Sequence, residues 1–582
     1  MNSRRYQLIR EKYWEFFFPT LAIAMANNIA TFVDSLLVST FLGVNRLPAV
    51  QLCFPIVAFM NFFFTMFGSG GSLIAANAQA DHDRKKGCYI YTISVATIIS
   101  VSVFFAAFFT IFKTNIVTLL CSNITLREDV GAYYSVMVLG LPFMCLLMCL
   151  SFFIRSDGCV QKASYSIIIS NSVNLIMDCV FLKGFKFGIA WAAFATIIGY
   201  ICGLLYLMFS YVGYPKRQFK LVPLHAYDLY SYMKDVMAVC GKGFSTAAVS
   251  LYLFISVQTF NNLVLSYGGA LGMQAYTICR NSMSLAYIYI IGTAQTMSPI
   301  VGVYTHEGDY DRARFILKQS IRIELLASLL MLLVLLVFPS SLLWLFGLAT
   351  SNDSEFFCQA IRVFSLIYPA LSFSFAMNYY FQAIDRKKLS AALTFLEGLF
   401  FPVGLAYFFI PNFGMMGCWV SLTIGEVLTA LLIIVFLMWD FYGNKRQYLL
   451  PINNEVSGVE FSIEPDIQKM VHVSEEASKY IEKRTDSKTA TITCFALEEM
   501  LTGIALANGD ARISIDVLLR DTEDEVIISV RDTGCGFNPL LKDDSLSYTF
   551  SNAQVLQKIA SKMKYDILLG MNDTRIHLNK RN

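Results

Sequence analysis

The chain has 582 residues, 56% of them hydrophobic and only 15% charged, and its mean hydropathy is +0.55. So apolar a composition excludes an ordinary soluble protein of this size; a formal net charge of +3, with no dense Lys/Arg stripe among aromatics, excludes a nucleic-acid partner. The 14 cysteines show no zinc-ligand spacing; Cys53, Cys145, Cys149, Cys202 and Cys279 lie singly in apolar runs and read as buried structural thiols.

Residues 1–15 are basic, lack a short apolar region with a small-residue cleavage site, and read as a cytoplasmic, mildly amphipathic entry to a membrane helix. A bilayer core needs about 20 apolar residues per helix. Twelve such runs follow, near 16–41, 47–72, 88–112, 131–154, 163–183, 187–212, 238–266, 274–303, 319–345, 358–382, 388–409 and 414–440. They predict two six-helix lobes, 16–212 and 238–440, joined by a linker at 213–237; a second linker, 441–457, leads to a soluble tail, 458–582. Basic clusters at Arg4, Arg5, Arg10 and Lys12, at Arg84–Lys86, at Lys216, Arg217 and Lys220, at Arg312, Arg314 and Lys318, at Arg386–Lys388, and at Lys445 and Arg446 all fall on one side. By the positive-inside pattern both termini, and the tail with them, are expected in the cytoplasm of a multi-pass protein of the plasma membrane.

The membrane part repeats itself. A shift of 226 residues lays Ser72 on Ser298, Ile74 on Ile300, Asp83 on Asp309, Lys162 on Lys388, Ser164 on Ser390, Phe187 on Phe413, Gly188 on Gly414 and Gly199 on Gly425. Six helices duplicated in one orientation predict two lobes related by an axis along the membrane normal, with a cavity between them and access alternating as the lobes rock.

Several segments carry a family resemblance: Phe32-Val33-Asp34-Ser35-Leu36-Leu37-Val38 with Phe41-Leu42-Gly43, Asn171-Ser172-Val173-Asn174-Leu175-Ile176-Met177-Asp178, and Phe187-Gly188-Ile189-Ala190-Trp191-Ala192-Ala193-Phe194-Ala195-Thr196. With Ala275-Tyr276-Thr277-Ile278-Cys279-Arg280 and Phe413-Gly414-Met415-Met416-Gly417-Cys418-Trp419 in the second lobe, the chain resembles the multidrug and toxic compound extrusion (MATE) transporters over about residues 14 to 440. The resemblance implies an antiporter that exports small organic, often cationic, compounds against a proton or sodium gradient and needs no cofactor for transport. It lays the family's first-helix acid on Asp34 and its fifth-helix Asn and Asp on Asn174 and Asp178.

Independently of that resemblance, ionisable residues at bilayer depth cost about 2.5–3.5 kcal/mol on insertion scales and face a cavity or a partner. Asp34, Asp178, Arg280, Glu397 and Glu426 are such residues. Two first-lobe carboxyls brought together in a low-dielectric pocket would hold a proton between them, as proton coupling needs. Asn174 and nearby carbonyls would instead suit sodium, so the coupling ion stays open between H+ and Na+. Glu397 and Glu426 are expected either in the cavity, at helix ends, or paired with Arg280.

Past Asn444 the pattern becomes α+β: a strand at Val459–Ile463, helices at Asp466–Lys483 and Lys488–Leu506, strands at Ile513–Leu519 and Val526–Arg531, a helix near Asn552–Lys562 and two closing strands. With Glu498-Glu499 on a helix and Val530-Arg531-Asp532-Thr533-Gly534-Cys535-Gly536-Phe537 after a strand, the tail resembles the ATP-binding domain of the histidine-kinase and Hsp90-like superfamily, closest to anti-sigma-factor serine kinases. The resemblance implies an ATP site built on Glu499, Asp532, Gly534 and Gly536, Asp532 taking the adenine amino group. Two departures stand against magnesium-ATP: Gly503 occupies the place of the metal-holding Asn, and Ser551-Asn552-Ala553-Gln554-Val555-Leu556 the place of phosphate-contacting glycines. Kinase activity is therefore not expected, and no other metal site or catalytic residue stands out.

Two functions follow from the sequence. One is an ion-coupled exporter regulated by its tail, through nucleotide or a cytosolic protein partner. The other is a membrane-embedded signalling protein, in which a transporter-like body senses a ligand and the tail binds or phosphorylates a cytosolic regulator. A lipid-linked-glycan flippase would want a basic cavity, and few intramembrane Arg or Lys are present; an ATP-driven primary pump would need a G-x-x-x-x-G-K-[ST] loop, which the chain lacks.

Overall fold

A computed structural model describes the chain except for residues 1–5, 81–82, 215–216, 224–228, 452–456, 465, 510, 512, 523, 537, 539–559, 569 and 581–582. The predicted helix near Asn552–Lys562, the segment Ser551–Leu556, Phe537, and the basic residues Arg4, Arg5 and Lys216 therefore fall wholly or mostly outside the described residues; Lys562 itself begins a strand.

The helices are α1 (Gln7–Leu42), α2 (Leu47–Ala80), α3 (Arg84–Ile111), α4 (Lys113–Leu120), α5 (Ile124–Ser156), α6 (Val160–Asp178), α7 (Ala190–Val212), α8 (Leu229–His306), α9 (Tyr310–Val337), α10 (Pro339–Leu345), α11 (Ser354–Ser365), α12 (Ile367–Ala383), α13 (Lys387–Phe395) and α14 (Phe401–Asn444). Among the described residues eleven helical stretches are long and apolar enough to cross a membrane. One of these, Ser487–Asn508, belongs to the tail. Two others are interrupted, α8 at Gly269 (φ 57°) and the α13–α14 stretch at Gly414 (φ 58°), in left-handed conformations that glycine adopts without penalty. Setting aside the tail helix and counting each interrupted stretch twice gives twelve spans.

The repeat is visible in backbone detail. Gly43 (φ 89°) and Gly269 (φ 57°) break the chain at equivalent places. Asp83 and Asp309 each accept from the backbone N–H three residues on, Lys86 at 3.0 Å and Arg312 at 3.3 Å. Asp83 and Asp309 also each donate their own N–H at 2.8 Å to the carbonyl five residues back. Two expectations are corrected. The predicted helix 319–345 ends at Val337, because Pro339 has no N–H for the helix and drives Phe338 out of helical geometry (φ −121°, ψ 57°), and α10 starts anew there. The linker 213–237 gives up its last third to α8, which begins at Leu229.

Two compact units form. One comprises residues 20–295 and 320–435. In its first half α2, α3, α5, α6 and α7 pack pairwise around Cys53, Cys145, Cys149 and Phe153, all fully buried.

The other unit comprises residues 1–19, 296–319 and 436–582. Its tail opens with a hairpin, β1 (Arg446–Gln447) against β2 (Leu450–Pro451), turned through Tyr448 and Leu449 at φ 54° and 63°. A five-stranded antiparallel sheet follows, built from β3 (Ser457–Ile463), β4 (Ile515–Asp521), β5 (Glu525–Asp532), β6 (Lys562–Leu568) and β7 (Met571–Asn579) in the order β3-β4-β5-β7-β6. Alternation sends Val517, Leu519, Val526, Ile528, Val530, Ile576 and Leu578 to one face, where α15 (Ile467–Glu482) and α16 (Ser487–Asn508) cover them. Asp466 and Asp486 cap these two helices by accepting from Gln468 N–H at 2.9 Å and Thr489 N–H at 3.2 Å. The apolar α16 thus buries its hydrophobic face on a sheet.

Candidate functional site

In the first half of the membrane body α1 carries Asp34, α6 carries Asn174 and Asp178, and α7 carries Thr196. Asn174 and Asp178 are one helical turn apart and so share a face. The Asn174 amide donates to Asp178 Oδ2 at 3.1 Å and to Thr196 Oγ1 at 3.2 Å. Asp178 is completely buried, and its carboxyl lies within hydrogen-bonding reach of the Asp34 carboxyl. Asp178 Oδ1 has no N–H or O–H donor in reach, so a bond between the two acids requires a proton on one of them. Tyr133 of α5 and Tyr200 of α7 stand within electrostatic range of Asp34. Immediately after Asp178 the helix opens into a wider π-type turn, Cys179–Gly184, a distortion frequent at functional sites.

The structure brings Asp34, Asn174 and Asp178 together. Thr196, Tyr133 and Tyr200 complete the cluster and were not singled out by sequence, because neutral hydroxyls among 30 tyrosines carry no mark of depth.

The second half gathers a different set. Glu426 of α14 lies within electrostatic range of Glu397, which sits in a second π-type turn, Leu396–Phe400. Oε2 of each is buried and unpartnered. Tyr287 of α8 lies near both and near Arg280. Of the alternatives open for these acids, the pairing with Arg280 is not seen among the described residues: its guanidinium contacts Met283 Sδ at 3.3 Å. Neither acid terminates a long helix in contact with water. Sequence reading also passed over Glu324 of α9, which is fully buried with both oxygens unpartnered and neighbours Tyr289. An acid inside the apolar run Ile321–Leu335 was the available signal.

At the C-terminal end of β5, Asp532 is 1% exposed. Its Oδ1 accepts from Gly534 N–H at 2.9 Å and from the Asn572 amide at 2.8 Å, while Oδ2 has no donor among the described residues. Burial pushes this carboxyl above the usual carboxylate range, against those two bonds. Gly534 is needed for a local reason: a Cβ there would strike the Asn508 side chain, whose Oδ1 accepts from Cys535 N–H at 2.7 Å. Gly536 has open space around it. Glu499 is half-buried on α16, and Gly503, on the same helix, is buried and offers no ligand atom. The residues present do not fit magnesium.

The family comparison places the membrane body. The MatE family model matches residues 19–180 and 246–408, two blocks that follow the internal repeat. The multidrug export protein MepA of Staphylococcus saprophyticus is 24% identical over 413 residues, covering 69% of this chain and 88% of MepA. MepA of Staphylococcus haemolyticus is 22% identical over 396 residues, covering 67% and 84%. Among solved structures, an inward-facing multidrug resistance MATE family transporter of the MOP superfamily superposes with a TM-score of 0.63 at 20% identity, over 72% of this chain and 97% of that one. With matched blocks that together exceed half of its length, on a body of twelve apolar spans in two repeats, the chain belongs to the MatE family of multi-pass membrane transporters.

Proposed function

We propose that this protein is an exporter of small organic compounds, amphipathic or cationic, driven by proton antiport through Asp34 and Asp178. The single observation that carries the reading is the approach of these two carboxyls beside the Asn174 amide, with Asp178 fully buried. Two acids at hydrogen-bonding distance share one proton and cannot both ionise cheaply. Loss of that proton would separate them by mutual repulsion, and the movement would be felt by α1 and α6. Asn174 would then steady the ionised Asp178. The names of the MepA relatives support a multidrug substrate range, and the unpartnered Glu397 and Glu426 would attract the positive end of a cationic substrate.

The membrane body would lie in the plasma membrane with both termini in the cytoplasm, as the distribution of basic loops favours. The tail we read as a regulatory domain. Asp532 Oδ2, buried and without a donor among the described residues, supports recognition of an amino group on a nucleobase, whereas Gly503 weighs against phosphoryl transfer and so against the signalling-kinase alternative.

The test is reconstitution in liposomes, with efflux of a fluorescent organic cation followed under an imposed proton or sodium gradient. Efflux driven by the proton gradient and lost in Asp34→Asn is the expected result. Efflux that follows sodium alone, or that persists in Asp34→Asn, overturns the proton-coupling assignment.

A further inference from the structure

The face of the tail sheet that α15 and α16 leave uncovered carries a row of alternating charge. Asp516 of β4, Arg531 of β5 and Asp573 of β7 are directly paired cross-strand positions, and Ser462 of β3 extends the row by donating to Asp516 Oδ1 at 2.6 Å. The three charged residues are almost fully buried, at 3%, 4% and 3% exposure. What buries and neutralises them is the turn between α8 and α9.

Glu307 of that turn bridges Arg531 and Arg575, and its carbonyl accepts from Arg520 Nη1 at 2.7 Å. Arg312, 1% exposed at the start of α9, binds Asp516 Oδ2 at 2.8 Å and Asp309 Oδ2 at 3.3 Å. Tyr304 lies beneath the Arg531 guanidinium, 4.8 Å from its ring centroid. Charges as deeply buried as these are stable only with every partner in place.

A second element meets the same unit. Just before α1, Tyr6 stacks on Phe315 of α9, with ring centroids 4.4 Å apart and planes 7° apart, and in the first turns of α1 Glu11 Oε2 accepts from Ser514 Oγ beside β4 at 3.3 Å. Leu8, Ile9 and Tyr13 are buried there. The unit therefore joins the beginning of α1, which continues into the first repeat, to the α8–α9 turn, which belongs to the second.

We propose that the tail is a latch on alternating access. By holding the start of α1 and the α8–α9 turn in one body, it restrains the separation of the two repeats at that end, and transport accelerates when the latch is released. The proposal rests on the exporter reading above. It goes beyond it in assigning the contact surface and the sign of the effect: the docked tail inhibits. The releasing agent would be whatever the tail binds, since any ligand that prefers the undocked sheet face shifts the balance.

The experiment uses the full-length protein carrying Glu307→Gln and Arg312→Gln together, which alters only the turn and leaves every residue of the tail in place. Two measurements are made. Hydrogen exchange should rise both at residues 300–315 and, although nothing there is changed, at residues 7–15; an unaltered 7–15 segment overturns the bridge. Initial efflux under the proton gradient should rise several-fold over wild type; a rate equal to or below wild type overturns the inhibitory sign. A Tyr6→Cys/Phe315→Cys protein joined by a disulfide should be slowed, and reduction should restore it. Wild-type protein that moves no substrate under any gradient would remove the exporter reading instead, and the exchange measurement would still decide the bridge.

Discussion

At bilayer depth a carboxyl group needs a partner, and Asp178 has found two of opposite kind: the Asn174 amide at 3.1 Å and another acid, Asp34. The first contact survives ionisation; the second requires the proton. Asp34→Asn keeps a donor toward Asp178 but removes the titratable group, so it should insert and express normally while gradient-driven efflux falls to background. Unchanged efflux would take Asp34 out of the coupling role. Asn174→Ala is expected to be milder, lowering efflux by a factor that grows with pH, because the amide bonds the ionised carboxylate more strongly than the protonated acid. In the tail, burial holds Asp532 above its unfolded value, with the sign that follows from linkage: its contribution to stability is complete below the unfolded pKa and is lost as pH rises through the folded one. Asp532→Asn should remove that slope, seen as exchange of β5 and β7 amides in the variant diverging from wild type toward high pH. Parallel behaviour at every pH would mean that the carboxyl does not titrate in the folded tail.

Elements differ in how plainly the sequence announces them. The spans were legible because twenty-residue apolar runs have one outcome in a bilayer, and the 226-residue offset was legible because helix-junction residues recur at it, Asp83 as Asp309, Lys162 as Lys388 and Gly188 as Gly414. The strands of the tail were legible by alternation. The end of α9 at Val337 was missed because a proline inside an apolar run was outvoted by hydropathy, although its missing N–H decides the backbone. The π-type turns beside Asp178 and at Glu397 have no sequence signature. Nor has the charged row of Asp516, Arg531 and Asp573, since residues on three strands align only once the sheet registers are set. The α16–sheet interface gives a direct check on the tail's core: Leu501 is fully buried there. Leu501→Ala should cost about 2–5 kcal/mol by removing buried methyl groups and leaving a cavity. A loss well under 1 kcal/mol in the tail's unfolding, followed by exchange at α16 amides, would mean the helix is not packed on the sheet as described.

For the whole molecule, the buried charges order the consequences of losing the tail in part or entirely. The last of the twelve apolar spans ends at Asn444, so all twelve lie outside residues 452–582. Deleting those residues returns Glu307 and Arg312 to water, where each is hydrated at little cost and neither needs its former partner. Arg531→Met does the opposite. It leaves the Glu307 and Asp573 carboxylates to share Arg575, with an apolar side chain in place of their second cation, and breaking a buried pair from one side costs up to about 3–5 kcal/mol. The larger change is therefore expected to be the gentler: protein lacking 452–582 should insert normally and transport faster than wild type, while Arg531→Met should give lower yield and earlier thermal unfolding in detergent. The double variant Glu307→Gln/Arg531→Met should recover part of that loss, because one of the stranded charges is gone. Full loss of transport in the deletion despite normal insertion would show that the tail completes the transport machinery, and a harmless Arg531→Met would show that the charged row is open to water and that the docking of sheet on turn contributes nothing to the fold.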